Sequence, residues 1–248
     1  MTPVASRPGA AAAGRRITTV IGALAGAISL AAVVLTFAAP PDVAMGNLTR
    51  ILPVHVGAAW LAYLSFFVTA AYSLAYLITR SLKLDRIAAV SAEVGLVFIV
   101  FALYSGSLWG RPTWGTYWVW DPKLTTTALL FAVYLGYLMV RGAIEDTARR
   151  ARVSSAIGVV ASVGVPINYM SVIWWRSIHQ PPTFNPTTGR SSMDNDMLLM
   201  ALILMVVGFS LMYLFLMRFR GDIARRQAMN EEREIEMAAG LRPSGVHS

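Results

Sequence analysis

Two histidines and a dense run of tryptophans are the residues of this sequence whose types and spacing could do chemistry. His55 ends the stretch Arg-Ile-Leu-Pro-Val-His that begins at Arg50, and His179 lies in Trp-Trp-Arg-Ser-Ile-His-Gln-Pro. Residues 109–123 are Trp-Gly-Arg-Pro-Thr-Trp-Gly-Thr-Tyr-Trp-Val-Trp-Asp-Pro-Lys. Imidazole is a common metal ligand in proteins, and indole rings offer large apolar faces. The sequence therefore combines metal ligands with surfaces for a flat apolar molecule.

Two compositional features limit this chemistry. The sequence has no cysteine, which excludes disulfides, thiolate metal sites, thiol redox chemistry and covalent attachment of haem to this chain through a Cys-x-x-Cys-His motif. It has no glycine-rich phosphate loop, so it does not predict ATP binding. The formal net charge is +8, but the basic residues lie in short loops between apolar runs. There they indicate membrane topology and contacts with lipid, and no nucleic acid is expected as a partner.

Six apolar segments must position the candidate residues. With 56% hydrophobic and 14% charged residues, the chain lacks the polar surface of a soluble domain. About 20 apolar residues in a helix span a membrane, where every backbone polar group must be paired internally. The pattern predicts an all-α membrane protein, a six-span transmembrane helix bundle over 17–219 with tails at 1–16 and 220–248. The predicted spans are 17–39, 54–79, 87–108, 124–140, 156–174 and 197–219. The first is longer than the apolar core of a signal peptide, so we interpret it as a true span.

The basic residues are distributed unevenly between the two ends of the predicted bundle. Three lie in the N-terminal tail, three between the second and third spans, four between the fourth and fifth, and six at the C-terminal end, so 16 of the 21 share one side. The positive-inside rule places that side, with both termini, in the cytoplasm. We expect the protein in the inner (cytoplasmic) membrane. The loops at about 40–53, 109–123 and 175–196 are then external.

Both of the histidines named above and six of the seven tryptophans lie in these external loops or at the span ends that border them. We expect residues 113–120 to form a short interfacial helix, which would place Trp114, Trp118 and Asp121 on one side. An alternative is an aromatic belt, in which tryptophans only anchor the protein at the lipid headgroups. A belt would populate both membrane faces, whereas the predicted cytoplasmic loops contain no tryptophan.

A haem group matches this set of side chains. Its iron takes imidazole ligands, its ring packs on aromatic side chains, and its propionates attract cations. We predict that His55 and His179 are the axial ligands of the haem iron. The tryptophan run could supply the aromatic walls, and Arg50, Lys123 and Arg176 are available as cations for the propionates. Plainer alternatives exist: either histidine could be a hydrogen-bonded structural residue, each cation could bind lipid phosphate, and Asp121 could cap the fourth helix or orient a ligand.

Two polar features fall inside predicted spans. Glu93 lies in the third span, and we expect no basic residue at the same depth, so we interpret it as a polar contact within the bundle. Pro166 and Asn168 lie in the fifth span. The proline predicts a kink there, and the asparagine amide predicts a hydrogen bond across helices.

Residues 114–121, Trp-Gly-Thr-Tyr-Trp-Val-Trp-Asp, resemble the tryptophan-rich WWD signature of the haem-handling proteins of cytochrome c biogenesis. Six spans, with a histidine before the second and another after the fifth, resemble the CcmC family in particular. The resemblance covers about residues 17–219. Tyr117 stands where a third aromatic residue, often tryptophan, is common in the family, and Pro122-Lys123 where a small residue and arginine are common.

The resemblance implies a haem transport component, not an enzyme, that presents haem b at the outer membrane face and delivers it to the haem chaperone CcmE. The haem would be bound non-covalently and transiently. His55 and His179 would serve the iron, and the signature residues Trp114, Trp118, Trp120 and Asp121 would hold the macrocycle. The implied partners are an ABC-type ATPase complex of CcmA and CcmB, the small subunit CcmD and the lipid bilayer. Two other functions stay open from the residues. A b-type cytochrome would need four ligands at two depths, and a permease for another amphipathic molecule would need no external histidines.

Overall fold

The computed structural model describes residues 8–183, 189, 193 and 195–238, and nearly all of them are helical. Parts of the loop at 175–196 and of both tails lie outside the described residues. The helices are α1 (Pro8–Ala38), α2 (Leu52–Thr79), α3 (Leu82–Trp114), α4 (Pro122–Ala143), α5 (Thr147–Ser162), α6 (Gly164–Trp174) and α7 (Asp196–Ala238), and a short 3₁₀ helix at Asn47–Ile51 precedes α2. Among the described residues, six segments are long and apolar enough to span a membrane, and α5 with α6 forms one of them. The predicted six-span all-α fold is confirmed.

Helices α2 and α3 form the centre of the bundle. Helix α2 packs along α3 and also contacts α5 and α7, while α1 packs along α7. The ring of Phe66 on α2 stacks on Tyr134 of α4 with centroids 3.6 Å apart, and both side chains are fully buried. Because successive spans alternate in direction, the starts of α2 and α4 and the ends of α3 and α6 lie together. We call this the histidine end, since it includes His55, and the opposite end, which includes Arg141, the arginine end.

The predicted short helix at residues 113–120 is wrong. Helix α3 continues to Trp114, and Gly115 ends it in the left-handed conformation with φ of 76°. Glycine adopts this conformation without steric cost, so the chain can turn away from the helix axis here. The chain then runs without helix to the start of α4. Trp118 and Trp120 therefore lie in a connecting segment and do not share a helical face with Trp114.

The predicted kink in the fifth span is confirmed, and it lies just before Pro166. The helix breaks at Val163, between α5 and α6, because proline lacks an N–H and its ring excludes the regular helical path of the preceding turn. Asn168 on α6 is fully buried. Its Nδ2 donates to Thr126 Oγ1 at 2.7 Å and to Thr127 Oγ1 at 2.8 Å, both on α4. The predicted hydrogen bond across helices is thus also confirmed.

The expectation that Glu93 has no basic residue at its depth is wrong. Arg220 on α7 donates to Glu93 Oε2 through Nε at 3.0 Å and through Nη2 at 2.5 Å. Helix α7 continues without a break through Arg220, which therefore packs against α3. Nearby, Arg141 of α4 binds both carboxylate oxygens of Asp85 on α3, at 2.6 and 2.8 Å. The two ion pairs connect α3 to α4 and to α7 near the arginine end.

The orientation of the bundle can be tested with reporter fusions. Ser81 lies between α2 and α3 and Asp146 between α4 and α5, both at the arginine end, whereas Gly189 lies in the loop between α6 and α7. Because positively charged loops stay on the cytoplasmic side, we predict cytoplasmic reporter activity after Ser81 and Asp146 and external activity after Gly189. External activity at either of the first two positions would contradict the assigned orientation.

Candidate functional site

The two candidate histidines line the same space at the histidine end. A cavity of about 540 Å³ opens between the helices there, and a narrower one of about 60 Å³ shares part of its wall. The larger volume lies within the roughly 300–1,000 Å³ that is typical of sites for small organic molecules. The side chains that line both cavities include His55, His179, Lys123, Tyr63 and Trp109.

His55 lies in the first turn of α2, and α3 fixes the orientation of its ring. Its Nδ1 lies 2.9 Å from Ser105 Oγ. Because the Ser105 hydroxyl donates to the Phe101 carbonyl oxygen at 2.8 Å, its oxygen accepts from His55. This arrangement matches the tautomer with the proton on Nδ1 and the lone pair on Nε2, which binds metal through Nε2. A Cβ atom on Gly106 would lie 3.1 Å from the imidazole ring, so glycine leaves the room that the ring occupies.

His179 lies in the loop after α6 and has the same tautomer. Its Nδ1 lies 2.8 Å from the carbonyl oxygen of Gln180, which can only accept, so the proton is on Nδ1. Burial lowers the pKa of His179 below its usual value, although the hydrogen bond to Gln180 acts in the opposite direction. The imidazole is therefore neutral at pH 7, with the Nε2 lone pair available to a metal.

The carboxylate of Asp121 connects the start of α4 to the loop that carries His179. Its Oδ1 accepts from two backbone N–H groups in the first turn of α4, at 2.8 and 3.2 Å, which is the helix cap that the sequence allowed. Its Oδ2 accepts from the Ser177 hydroxyl at 2.6 Å and from the Ile178 N–H at 3.0 Å. Asp121 thus caps one segment and positions the other, but it lines neither cavity.

Asp121 is also linked to His179 through Ser177. Ser177 Oγ accepts from the backbone N–H of His179 at 3.0 Å. Burial raises the pKa of Asp121, but the hydrogen bonds from Ser177 and from three backbone N–H groups lower it by more, so the net pKa is below its usual value. Asp121 is therefore ionised at neutral pH, and hydrogen bonds to an ionised carboxylate are the stronger kind.

The three candidate tryptophans occupy different positions. Trp114 and Trp118 line the narrow cavity, and the ring of Trp114 lies 6.5 Å from the His179 ring, centroid to centroid. Trp120 is 80% exposed, lines neither cavity and packs edge-on against Trp118. The structure therefore brings two of these rings to the histidines and leaves the third at the surface.

Lys123 is the candidate cation that lies at the cavities. It points from the first turn of α4 into the bundle, where its Nζ donates to the Tyr63 hydroxyl at 3.1 Å and to the Asn168 carbonyl oxygen at 3.0 Å. The Tyr63 hydroxyl also donates to the side-chain oxygen of Asn168. These three side chains join α2, α4 and α6 beneath the histidines.

The two candidate arginines lie away from the cavities. Arg50 donates to the Ala39 carbonyl oxygen at 3.3 Å, and its guanidinium lies 5.7 Å from the centroid of the Phe37 ring. It therefore ties the 3₁₀ helix to the end of α1. Arg176 is exposed in the loop after α6. Neither side chain lines the space between the histidines.

Comparison with known proteins identifies the family. Residues 2–234 match the family described as CcmC, Heme exporter protein C. The chain belongs to the CcmC family. It is 37% identical over 218 residues to Heme exporter protein C of Bradyrhizobium diazoefficiens, covering 84% of this chain and 82% of that protein. The corresponding protein of Rhodobacter capsulatus is 34% identical over 202 residues, 80% of this chain and 83% of its own length. A cytochrome c biosynthesis ccmC-like mitochondrial protein of Marchantia polymorpha is 37% identical over 147 residues, 59% of this chain and 62% of its own.

Several side chains at the site of this CcmC-family chain were not predicted from the sequence. Tyr63 lies eight residues after His55, about two helical turns, so helical spacing could have placed it on the same face of α2. Trp109 begins the tryptophan run, is buried and lines both cavities. Ser105 and Gly106 carry no such signal, because their contact with His55 depends on the register of α2 against α3.

Asp121→Asn tests whether this carboxylate positions the loop after α6. Asparagine keeps one oxygen that can cap α4, but its NH₂ group cannot accept from Ser177 and Ile178. We predict that amide hydrogen exchange at Ile178 and His179 becomes about 5- to 150-fold faster, as expected for the loss of hydrogen bonds worth roughly 1–3 kcal/mol. Hydrogen–deuterium exchange followed by mass spectrometry of the purified protein measures this change.

The matched control is Asp146→Asn at the arginine end. Asp146 caps α5 by accepting from the Arg149 N–H at 2.6 Å, and it is remote from the loop after α6. Its substitution should leave exchange at Ile178 and His179 unchanged. Wild-type exchange rates in the Asp121 variant would show that the loop is held by other contacts.

Proposed function

We propose that this chain is the haem-binding membrane component of the cytochrome c maturation system, and that it presents haem b at the outer membrane face for delivery to the haem chaperone CcmE. The observation that carries the proposal is the matched pair of histidines. Both line one cavity at the histidine end, and both direct their Nδ1 proton to a protein acceptor, which leaves Nε2 as the ligand atom. Two imidazoles that each have a hydrogen-bonded Nδ1 and a free lone pair on Nε2 suit the axial positions of a haem iron.

An iron porphyrin fits this pair better than a bare metal ion does. In the part of the chain that the structure describes, no group of three or more His, Cys, Asp or Glu side chains could hold a metal ion. A bare ion bound by His55 and His179 would therefore lack further protein ligands. A porphyrin supplies four nitrogen ligands of its own and needs only axial ones from the protein. For this reason haem is the proposed cargo, bound non-covalently, since the chain has no cysteine.

The walls of the cavities suit the rest of the haem group. Trp114 and Trp118 supply aromatic surface beside the histidines, and Lys123 supplies a cation below them. The exposed Arg176, in the loop that carries His179, is available to a propionate, and Arg50 would bind one only after leaving its contact with Ala39. Asp121 acts on the haem through the position of His179.

We propose that haem leaves the site beside the exposed Trp120. A large apolar side chain that is 80% exposed beside the cavity offers a contact to a second protein. We place CcmE at this surface, outside the inner membrane, because the positive-inside rule puts the histidine end there. CcmA, CcmB and CcmD are the proposed further partners, and the ATPase pair would supply energy that this chain has no phosphate loop to obtain. Its role is transport, with no catalytic step assigned to its residues.

The positions of the histidines also distinguish this function from transmembrane electron transfer. Two haems stacked through the bilayer would need four axial ligands at two depths. The sequence contains three histidines, and the two that line the cavity lie at one end of the bundle. The third, His247, belongs to the C-terminal tail outside the described residues.

Substitution of the histidines tests the ligand assignment. We predict that His55→Ala and His179→Ala each weaken haem retention roughly 10- to 100-fold and change the Soret and α bands, because each removes an axial ligand of the iron. Absorption spectra of purified protein, titrated with haem and normalised to protein, measure both effects. His247→Ala is the matched control and should behave as the wild type. Wild-type spectra in both cavity variants would mean that the iron ligands lie elsewhere.

Substitution of the tryptophans tests whether they form the haem surface or only a membrane belt. We predict that Trp114→Ala and Trp118→Ala each weaken haem binding about 5- to 150-fold, the equivalent of losing roughly 1–3 kcal/mol of apolar contact. Trp120→Ala should leave haem affinity nearly unchanged but slow transfer to CcmE. Haem titration and a transfer assay with purified CcmE separate the two effects.

Trp175→Ala provides the matched control for this series. Trp175 is 49% exposed, packs edge-on against Trp174 and lines neither cavity, so its loss should change neither haem affinity nor transfer. Equal effects of Trp114→Ala and Trp175→Ala would favour the membrane belt, because a belt depends on the number of interfacial rings and not on their place at the cavity.

A further inference from the structure

Another cavity, lined by several charged side chains, lies near the arginine end, far from the histidines. It has a volume of about 360 Å³ and is walled by residues of α3, α4, α5 and α7. Arg86, which lines it, is 23 residues before Trp109 on α3, so at 1.5 Å per residue the two sites are about 35 Å apart along the helix. The cavity is therefore at the opposite membrane surface from the candidate haem site. We call it the arginine pocket, after the charged side chains that line it: Arg86, Arg141, Arg150, Arg220 and Glu93.

The arginine pocket carries an excess of positive charge that the protein leaves unneutralised. Arg141 is paired with Asp85 and Arg220 with Glu93. Within the part of the chain that the structure describes, the side chains of Arg86 and Arg150 form no ion pair and no hydrogen bond. Four arginines and two carboxylates leave two positive charges, and both residues that carry an unpaired charge, Arg86 and Arg150, are partly buried. Partly buried charges without a partner are costly, so the pocket favours an anion.

We propose that the arginine pocket binds the phosphate group of an anionic phospholipid. Guanidinium groups bind phosphate oxygens through paired hydrogen bonds. The unpaired guanidinium groups of Arg86 on α3 and Arg150 on α5 can together bind a single phosphate. The pocket lies where the spans leave the membrane, with Arg86 in the first turns of α3 and Arg150 in the first turn of α5. Basic pockets between spans at this level are suited to anionic headgroups.

The remaining walls favour a lipid over a soluble phosphate. Val90, Leu138, Ala89, Ala224 and Ala228 also line the pocket, so apolar surface lies beside the arginines. A headgroup that carries acyl chains can use both kinds of surface, whereas inorganic phosphate can use only the charge. The two ion pairs hold the paired arginines in place, so the pocket is formed before the lipid arrives.

The experiment compares lipid binding by full-length variants purified in detergent. Native mass spectrometry with added phosphatidylglycerol or phosphatidylcholine counts the lipids retained by each protein. We expect the wild type to retain phosphatidylglycerol in preference to phosphatidylcholine. The double variant Arg86→Gln/Arg150→Gln should bind phosphatidylglycerol about 25-fold more weakly, from about fivefold for each arginine. Both substitutions leave the two ion pairs intact.

The matched control is Arg149→Gln/Arg152→Gln, which removes the same charge from exposed positions of α5. It should retain phosphatidylglycerol as the wild type does. A second pair of variants uses Gly142, which lines the pocket and where a Cβ atom meets nothing within 4 Å. Gly142→Glu should weaken binding of phosphatidylglycerol by repulsion, and Gly142→Gln should not.

Three results would overturn the proposal. If the pocket variant and the exposed control lost phosphatidylglycerol binding equally, the effect would come from net charge and not from the pocket. Unchanged retention in both the pocket variant and Gly142→Glu would place the lipid elsewhere. Displacement of phosphatidylglycerol by millimolar inorganic phosphate would make the ligand a soluble anion. Wild-type haem spectra in every variant are expected, since the two sites lie at opposite ends.

Discussion

The ionised carboxylate of Asp121 accepts four hydrogen bonds, two from the first turn of α4 and two from Ser177 and Ile178. The groups that it joins are more than 50 residues apart in the sequence. Without it, the loop after α6 would lose two hydrogen bonds to the start of α4, one of them made by Ser177, which in turn accepts from the His179 backbone N–H. One buried charge therefore sets the distance between the tryptophan signature and one of the two imidazoles, and the candidate site depends on it.

A second constraint comes from the membrane itself. In hydrocarbon an unpaired polar group costs several kcal/mol, so partners within the bundle stabilise the polar side chains of the spans. A hydrogen-bond network joins the side chains of Lys123 and Tyr63 to Asn168. Asn168 also donates to two threonines of α4. This network stabilises the contact of α2, α4 and α6, and it also holds a cation at the floor of the cavity. The same hydrogen bonds thus serve both packing and the site.

Helix α3 connects the two ends of the molecule. Near its C-terminus it presents Ser105 to the imidazole of His55, and near its N-terminus Asp85 and Glu93 bind arginines of α4 and α7. The ion pairs fix α3 against its neighbours, so that its other end can hold the histidine ring in one orientation. A rigid frame favours the proposed binding of haem, because less ordering is then needed when a ligand binds.

The sequence by itself determined the six spans, the cap formed by Asp121 and the presence of both histidines at one end, because span length, capping and the alternation of direction are local properties. It also contained the family signature. It did not predict the end of α3 at Gly115, since the same residues fit a helical turn equally well. Only the tertiary structure decided that Ser105 holds His55, that Arg220 reaches Glu93 and that Trp120 stays outside the cavity. These contacts depend on the register of one helix against another, which side-chain packing across the bundle sets and no single segment encodes.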